Sequence, residues 1–245
     1  MHHHYSPQAV SRQKPRKHIK LPKPFSIKIS DDIAALLSAP EPVVALNLMG
    51  FSLLSDKDFN PNNTVFWCDG VLSSLACTLA GISIKRQPGR EVLVEALNHL
   101  RTYDHERPVA VLGGNGPLKE FSRLLKKEPV QVRLPWLVCA DEAAQMDFSE
   151  LNAEYIVFLA IGSPKQEWIA ETIYQKVGAK CICVGGAVNM LEGREKIVPL
   201  VFQKCGLEWI YRLFTEPKRR LRRLISTLPQ GIRNLRYSSS LTYFC

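Results

Sequence analysis

Six short apolar runs constrain this chain more than any other feature: VVALNL (43–48), TVFWCD (64–69), PVAVLGG (108–114), VQVRL (130–134), YIVFLAIG (155–162) and CICVGG (181–186). They are continuous rather than alternating, and a strand that is apolar at every position has to be covered on both faces. Helical periods lie between them, with Val92, Ala96, Leu97 and Leu100 on one face and Leu118, Phe121, Leu124 and Leu125 on another. Strands alternating with helices predict an α/β domain over residues 25–205. Its Rossmann-like parallel sheet should have about six strands joined by right-handed crossovers and flanked by helices. A chain of 245 residues with 46% hydrophobic content can fill such a core.

The formal charge of +9 sits at the ends. Residues 1–24 carry six Lys or Arg, no acid and no apolar period, and read as a flexible basic arm in which His2, His3 and His4 are part of the disordered end. Residues 216–245 carry seven bases against Glu216, which leaves 19 bases and 22 acids for the body between. Within 206–245 two amphipathic helices are predicted. Leu207, Ile210, Tyr211 and Phe214 share one face before Pro217, and Leu221, Leu224, Ile225 and Leu228 share another after it. This tail is expected to be a basic appendage that lies on an anionic membrane surface. No window of 18 uncharged apolar residues and no signal-peptide core occur, so a cytoplasmic, peripherally bound protein is expected. The odd count of seven cysteines, none in a C-x-x-C pair, predicts reduced buried thiols, with Cys181 and Cys183 on one face of a strand.

In open parallel sheets ligands gather at the carboxyl ends of strands, and four of those ends are unusual here. They are CDG (68–70), GGNGP (113–117), GSPKQEW (162–168) and GGAVN (185–189). Glycines allow close backbone approach and helix N-termini offer N–H groups, a layout suited to a phosphate or diphosphate. By itself GGNGP is a common structural turn, whereas GSPKQEW packs a turn proline, a cation, an amide and an acid into one helix start. The plain alternatives are an N-cap role for Asp69 on a helix over 71–81, a solvated cation for Arg86 and a polar helix start for Gln166. Neither a P-loop nor a G-x-G-x-x-G followed by a ribose-binding acid is present.

The stretches IGSPKQEWIAETI, VGGAVNMLEGREKIVPLVFQKCGLEWIYRLFTEPKR, WCDGVLSSLACTLAGISIKRQPG and VAVLGGNGPLKEFSRLL, in this order-compatible spacing over roughly 40–225, resemble the bacterial WecG/TagA/CpsF glycosyltransferases, glycosyltransferase family 26. The resemblance implies a GT-E-like fold and an inverting enzyme that uses no metal or other cofactor. Such an enzyme moves a sugar from a UDP-sugar to a polyprenyl-diphosphate-linked acceptor for a cell-surface polysaccharide. It places a catalytic aspartate at Asp69, an arginine at Arg86 and a glutamine at Gln166, with Asn47 in the same pocket. It also implies UDP-sugar binding by Gly113, Gly114, Asn115, Gly162, Pro164, Lys165, Glu167, Gly185, Gly186 and Asn189. The chain departs from the family at three places. Ala45 stands where Thr is usual and the segment before Asp69 is shorter; Asn189 stands where Asp is common; Ile197 stands where Arg is frequent.

On this basis Arg212, Arg219, Arg220, Arg222 and Arg223 are expected to grip the lipid diphosphate, and a cut after Thr215 is expected to leave the fold intact. Off the membrane, the apolar tail offers a contact for a second copy of the chain. Two other functions compete: a nucleotide-sugar-binding protein without catalysis, and a scaffold whose basic ends hold nucleic acid. The regular aliphatic spacing of the tail favours lipid, so no nucleic-acid partner is expected.

Overall fold

The computed structural model describes residues 26–56, 58–114, 116–132, 140–196, 198, 199, 201, 202, 210, 211, 214 and 217–245, without the side chains of 218–220 and 222–224. In chain order the described elements begin with β1 (Ile27–Ser30), α1 (Ile33–Ser38), β2 (Val43–Leu46), α2 (Leu48–Leu53), β3 (Val65–Cys68), α3 (Val71–Leu79) and α4 (Gly89–Tyr103). They continue with β4 (Val109–Gly113), α5 (Lys119–Leu125), β5 (Val130–Val132), α6 (Ala140–Gln145), β6 (Ile156–Ala160), α7 (Lys165–Val177), β7 (Lys180–Cys183) and α8 (Ala187–Leu191). A helix over Pro217–Asn234, here α9, a 3-10 turn over Leu235–Ser240 and β8 (Leu241–Tyr243) follow. The strands form one Rossmann-like sheet in the order β5-β4-β6-β7-β2-β3-β1-β8, and every pairing is parallel.

Both faces of the interior strands are covered, which is why their apolar runs are continuous; the run at 130–134 departs from that expectation, because β5 is an edge strand in which Val130 and Gln131 are exposed. Along β6, Ile156, Phe158 and Ala160 point to one layer and Val157 and Leu159 to the other, all buried. The first layer is closed by α1, α4, α5 and α8 through Leu36, Leu93, Leu97, Phe121 and Val188. The second is closed by α2, α3 and α7 through Phe51, Leu53, Cys77, Ile169 and Ile173. Cys181 and Cys183 share this second layer as reduced thiols, and burial pushes both well up from the ordinary thiol range.

The sheet has eight strands where six were expected. Both additions are short and polar enough to escape a search for apolar runs. In β1 (IKIS) the Lys28 ammonium is carried out to Glu41 at 2.6 Å, and Ile27 and Ile29 fill the core. β8 (LTY) is three residues of the presumed appendage, hydrogen-bonded as the edge strand beside β1. Phe244 N donates to Ile29 O at 3.1 Å, Ser26 and Thr242 pair through their hydroxyls at 2.9 Å, and the Tyr243 phenol donates to Asp31 at 2.9 Å.

The helix that leads into this strand is also fastened down. Asn234, fully buried, donates to Phe51 O at 2.7 Å and accepts from the Ser55 hydroxyl at 2.8 Å. One turn earlier α9 passes so close to α2 that a Cβ on Gly231 would stand 2.4 Å from Leu48 Cδ1 and 3.0 Å from Leu48 O, so any larger residue would force Leu48 to shift. The opposite side of α9 is not covered: Leu221, Ile225, Leu228 and Ile232 are between 39 and 65% exposed. The tail is thus anchored at its end and presents an apolar stripe outward.

A crevice at the carboxyl ends of strands β2, β3 and β7

The β2–β3 register sets Leu46 opposite Cys68, so the next residue of each strand, Asn47 and Asp69, emerge side by side. Asn47 Nδ2 donates to Asp69 Oδ2 at 3.0 Å. The Asn47 oxygen is occupied on its other side as the N-cap of α2, accepting Met49 N at 3.0 Å and Gly50 N at 3.2 Å. One amide therefore starts a helix and fixes the plane of a carboxylate. Asp69 is not the cap of α3: that position is Gly70, with no side-chain cap bond, at φ 92 and ψ 175. Backbone of this kind is essentially restricted to glycine, and it turns α3 away so that the Asp69 side chain stays at the sheet end.

Neighbouring strands β7 and β2 send their chains to opposite layers, β7 into α8 and β2 into α2, which opens a crevice at their carboxyl ends. Asn47 and Asp69 form one wall. The Gly185–Gly186 turn forms the other, held by Gln166, whose Oε1 accepts Gly185 N at 3.0 Å. Gln166 is buried, and its amide nitrogen is engaged by Ser163 Oγ at 2.9 Å and Glu167 Oε1 at 3.0 Å. Both of its amide protons and one of the two acceptor sites of its oxygen are engaged inside the protein, so it holds the turn in place. Glu167 is likewise buried and accepts Ser163 Oγ at 2.6 Å. Pro164, which follows a cis peptide bond, leads into α7 with Gly162 and Lys165 at the rim.

The loop that carries Arg86 wraps over the end of β3, where Gln87 N donates to Cys68 O at 2.8 Å. Arg86 is half-buried there, close enough for its charge to act on the Cys68 thiol. Cys68 and Cys77 are free thiols; hydrogen bonds to Cys77 and Ser73 hold Cys68 below the ordinary thiol range, while the Cys77 thiol is pushed up by the same pairing.

Two features of the site were not legible in the motifs. The first turn of α5, after Gly113 and Gly114, does not offer open amides: the Glu192 carboxylate accepts Glu120 N at 3.2 Å and Phe121 N at 2.8 Å. The segment after α8 thereby becomes a strap across the strand ends, and Arg194 on it donates to Asn189 Oδ1 at 3.2 Å and to Pro117 O at 2.7 Å. No local signal marks a contact made across more than 70 residues of sequence. The triplet Asp56-Lys57-Asp58 has the D-x-D spacing of many metal-dependent sugar transferases. Here Asp56 Oδ1 accepts Asp58 N at 2.9 Å in a turn that runs, through Pro61–Asn63, into the amino end of β3, the end opposite Asp69. Asn115, Ile197 and Arg212 lie outside the described residues, as do the side chains of Arg219, Arg220, Arg222 and Arg223.

A protein-family model described as the glycosyl transferase WecG/TagA/CpsF family matches residues 28–241, from the first strand to the last. The chain belongs to the WecG/TagA/CpsF glycosyltransferase family. The matched span includes β1, α9 and the start of β8, so in this transferase the anchored tail is part of the family domain. Among the described residues no helix is long and apolar enough to cross a membrane.

Proposed function

We propose that this transferase carries a hexosyl or N-acetylhexosaminyl group, with inversion and without a metal, from a UDP-sugar to a polyprenyl-diphosphate-linked acceptor at the cytoplasmic membrane face, in the synthesis of a cell-surface polysaccharide. The observation that carries the chemistry is the Asn47–Asp69 hydrogen bond at the crevice. An inverting transfer needs a base in hydrogen-bond reach of the acceptor hydroxyl, and a carboxylate with one oxygen fixed by an amide presents the other in a set direction. Asp69 takes the acceptor proton as the hydroxyl oxygen bonds to the anomeric carbon and the bond to the UDP oxygen breaks. Arg86 and backbone N–H groups at the strand ends stabilise the charge that grows on the diphosphate. Gln166 acts as a positioning residue through Gly185.

The acceptor side is supported by apolar surface. Directly after Asp69 and Gly70, Val71, Leu75 and Leu79 form an exposed stripe along α3, and the 3-10 turn after α9 packs against the same helix. With the stripe on α9 this makes an apolar border beside the catalytic wall, and the sequence adds Lys218, Arg219, Arg220, Arg222 and Arg223 to its rim. Each basic residue near an anionic surface contributes about 1 kcal/mol. Incubation with a panel of UDP-sugars and polyprenyl-diphosphate-sugar acceptors should yield product with at least one pair, and failure with every pair would remove the proposal. Changing Arg219, Arg220, Arg222 and Arg223 together to Gln should weaken sedimentation with phosphatidylglycerol vesicles by at least about a hundredfold with an unchanged melting temperature. Equal vesicle binding by the variant would rule out the tail as the membrane contact.

A further inference from the structure

Arg86 stands in a stretch, residues 82–88, that belongs to neither helix nor strand, yet the residues on both sides of it are fastened. Gln87 N donates to Cys68 O at 2.8 Å, and Lys85 N donates to Asp31 Oδ2 at 2.7 Å. Asp31 directly follows β1, and the β1–β3 register, with Ser30 opposite Trp67, sets it level with Cys68. The backbone of Arg86 is therefore tied to two adjacent strand ends, about 4.8 Å apart, one residue short of Asp69. The charges of Asp69 and Arg86 both reach the Cys68 thiol, so the tied segment lies beside the base.

The Asp31 carboxylate serves no helix, since α1 is capped by Asp32, which accepts Ala34 N at 2.9 Å. Its two oxygens join distant segments instead. Oδ2 takes Lys85 N, 54 positions along the chain, and Oδ1 takes the Tyr243 phenol of β8 at 2.9 Å, 212 positions along. Hydrogen bonds to an ionised carboxylate are about twice as strong as those between neutral groups. The same carboxylate pushes the Tyr243 phenol above its ordinary range, so the phenol keeps its proton and remains a donor.

An arginine stabilises charge on a departing diphosphate only if its guanidinium already stands where that charge grows. Building on the role assigned above to Arg86, we propose that Asp31 is its positioning residue and that the C-terminal strand, through the Tyr243 phenol, holds Asp31 to that task. The end of the chain thus acts on the reaction by way of Asp31 and Lys85, without touching substrate.

A double-mutant cycle on the full chain, with a donor–acceptor pair that yields product, tests the link. Asp31→Ala should lower kcat by about tenfold and leave the KM of both substrates within about twofold, because the loss falls where charge develops. In an Arg86→Gln background the same substitution should change kcat by less than about twofold, since the group it acts through is gone. Asp31→Asn, whose amide oxygen can still accept Lys85 N, should fall between Asp31→Ala and wild type. Tyr243→Phe, which leaves the backbone of β8 paired, should cost only about two- to threefold. A tenfold loss from Asp31→Ala in both backgrounds would overturn the inference, as would wild-type kcat in Asp31→Ala, and in either case the role of Arg86 would stand on the loss seen in Arg86→Gln. Wild-type kcat in Arg86→Gln would remove that role and the inference with it. Should Asp31→Ala fail to fold, the same cycle with Asp31→Asn decides, its loss having to vanish in the Arg86→Gln background.

Discussion

Asp69→Asn should lower transfer by about 10²–10⁴-fold on any active donor–acceptor pair, the range that removal of a positioned general base costs. The substitution is chosen for its silence elsewhere. Asparagine keeps an oxygen for the Asn47 amide, and Gly70, not residue 69, starts α3, so neither helix loses a cap. UDP affinity and the melting temperature should therefore stay near wild type while turnover collapses. A variant with wild-type turnover would end the role of Asp69 as base. Asn47→Asp probes the same contact from its other side. An Asp at 47 would still cap α2 through Met49 N and Gly50 N, and the helix N-terminus would keep it ionised. A second carboxylate against Asp69 then raises the pKa of Asp69, and because the base works only when ionised, the acid limb of the pH profile of kcat/KM should move to higher pH. An acid limb superimposable on wild type would show that residue 47 does not face the base.

Cutting the chain after Thr215 should cost the fold, against the expectation drawn from the resemblance. The cut removes the two hydrogen bonds of buried Asn234, the buried Leu241 side chain and all three residues of β8, and it uncovers the start of α2 under Gly231. Two net hydrogen bonds of about 1 kcal/mol and one buried leucine of about 2 kcal/mol put the loss on the order of 4 kcal/mol. At about 2–4 °C per kcal/mol for a domain of this size, the melting temperature should fall by roughly 8–16 °C. A truncated protein that melts with the full chain would mean that the tail does not hold the sheet. Loss of activity after such a cut is therefore no measure of acceptor binding. The four-arginine substitution, which leaves Gly231, Asn234 and Leu241 in place, separates the two roles.

The parts of the fold visible in the sequence were those dictated by burial on both faces. The runs at 43–48, 64–69, 108–114 and 155–162 read as interior strands because their aliphatic and aromatic centres need cover on both faces, and each contains one. β8 escaped because an edge strand needs less apolar surface, and β1, which lies between β3 and β8, because it is four residues long and interrupted by Lys28; Lys28 and Thr242 sit where the other strands have an aliphatic residue. At the site, glycine-rich strand ends marked the right end of the sheet. Which groups meet there depends on register and on distant contacts. Asn47 reaches Asp69 because β2 and β3 are aligned residue for residue, and Glu192 reaches the first turn of α5 because α8 packs beside it. Gln166, chosen for its chemistry, is engaged by its own neighbours, a fate visible only once Ser163, Glu167 and Gly185 surround it.

The pairing of Ile27–Ile29 with Leu241–Tyr243 joins residues more than 200 positions apart. During synthesis β1 leaves the ribosome more than 200 residues before β8, and its outer edge stays unpaired until β8 has emerged. An open edge with two aliphatic side chains is a template for strands of other chains. Protein that lacks Leu241–Tyr243 should consequently aggregate before it loses catalysis, and soluble yield should depend on these three residues more than on others of similar exposure.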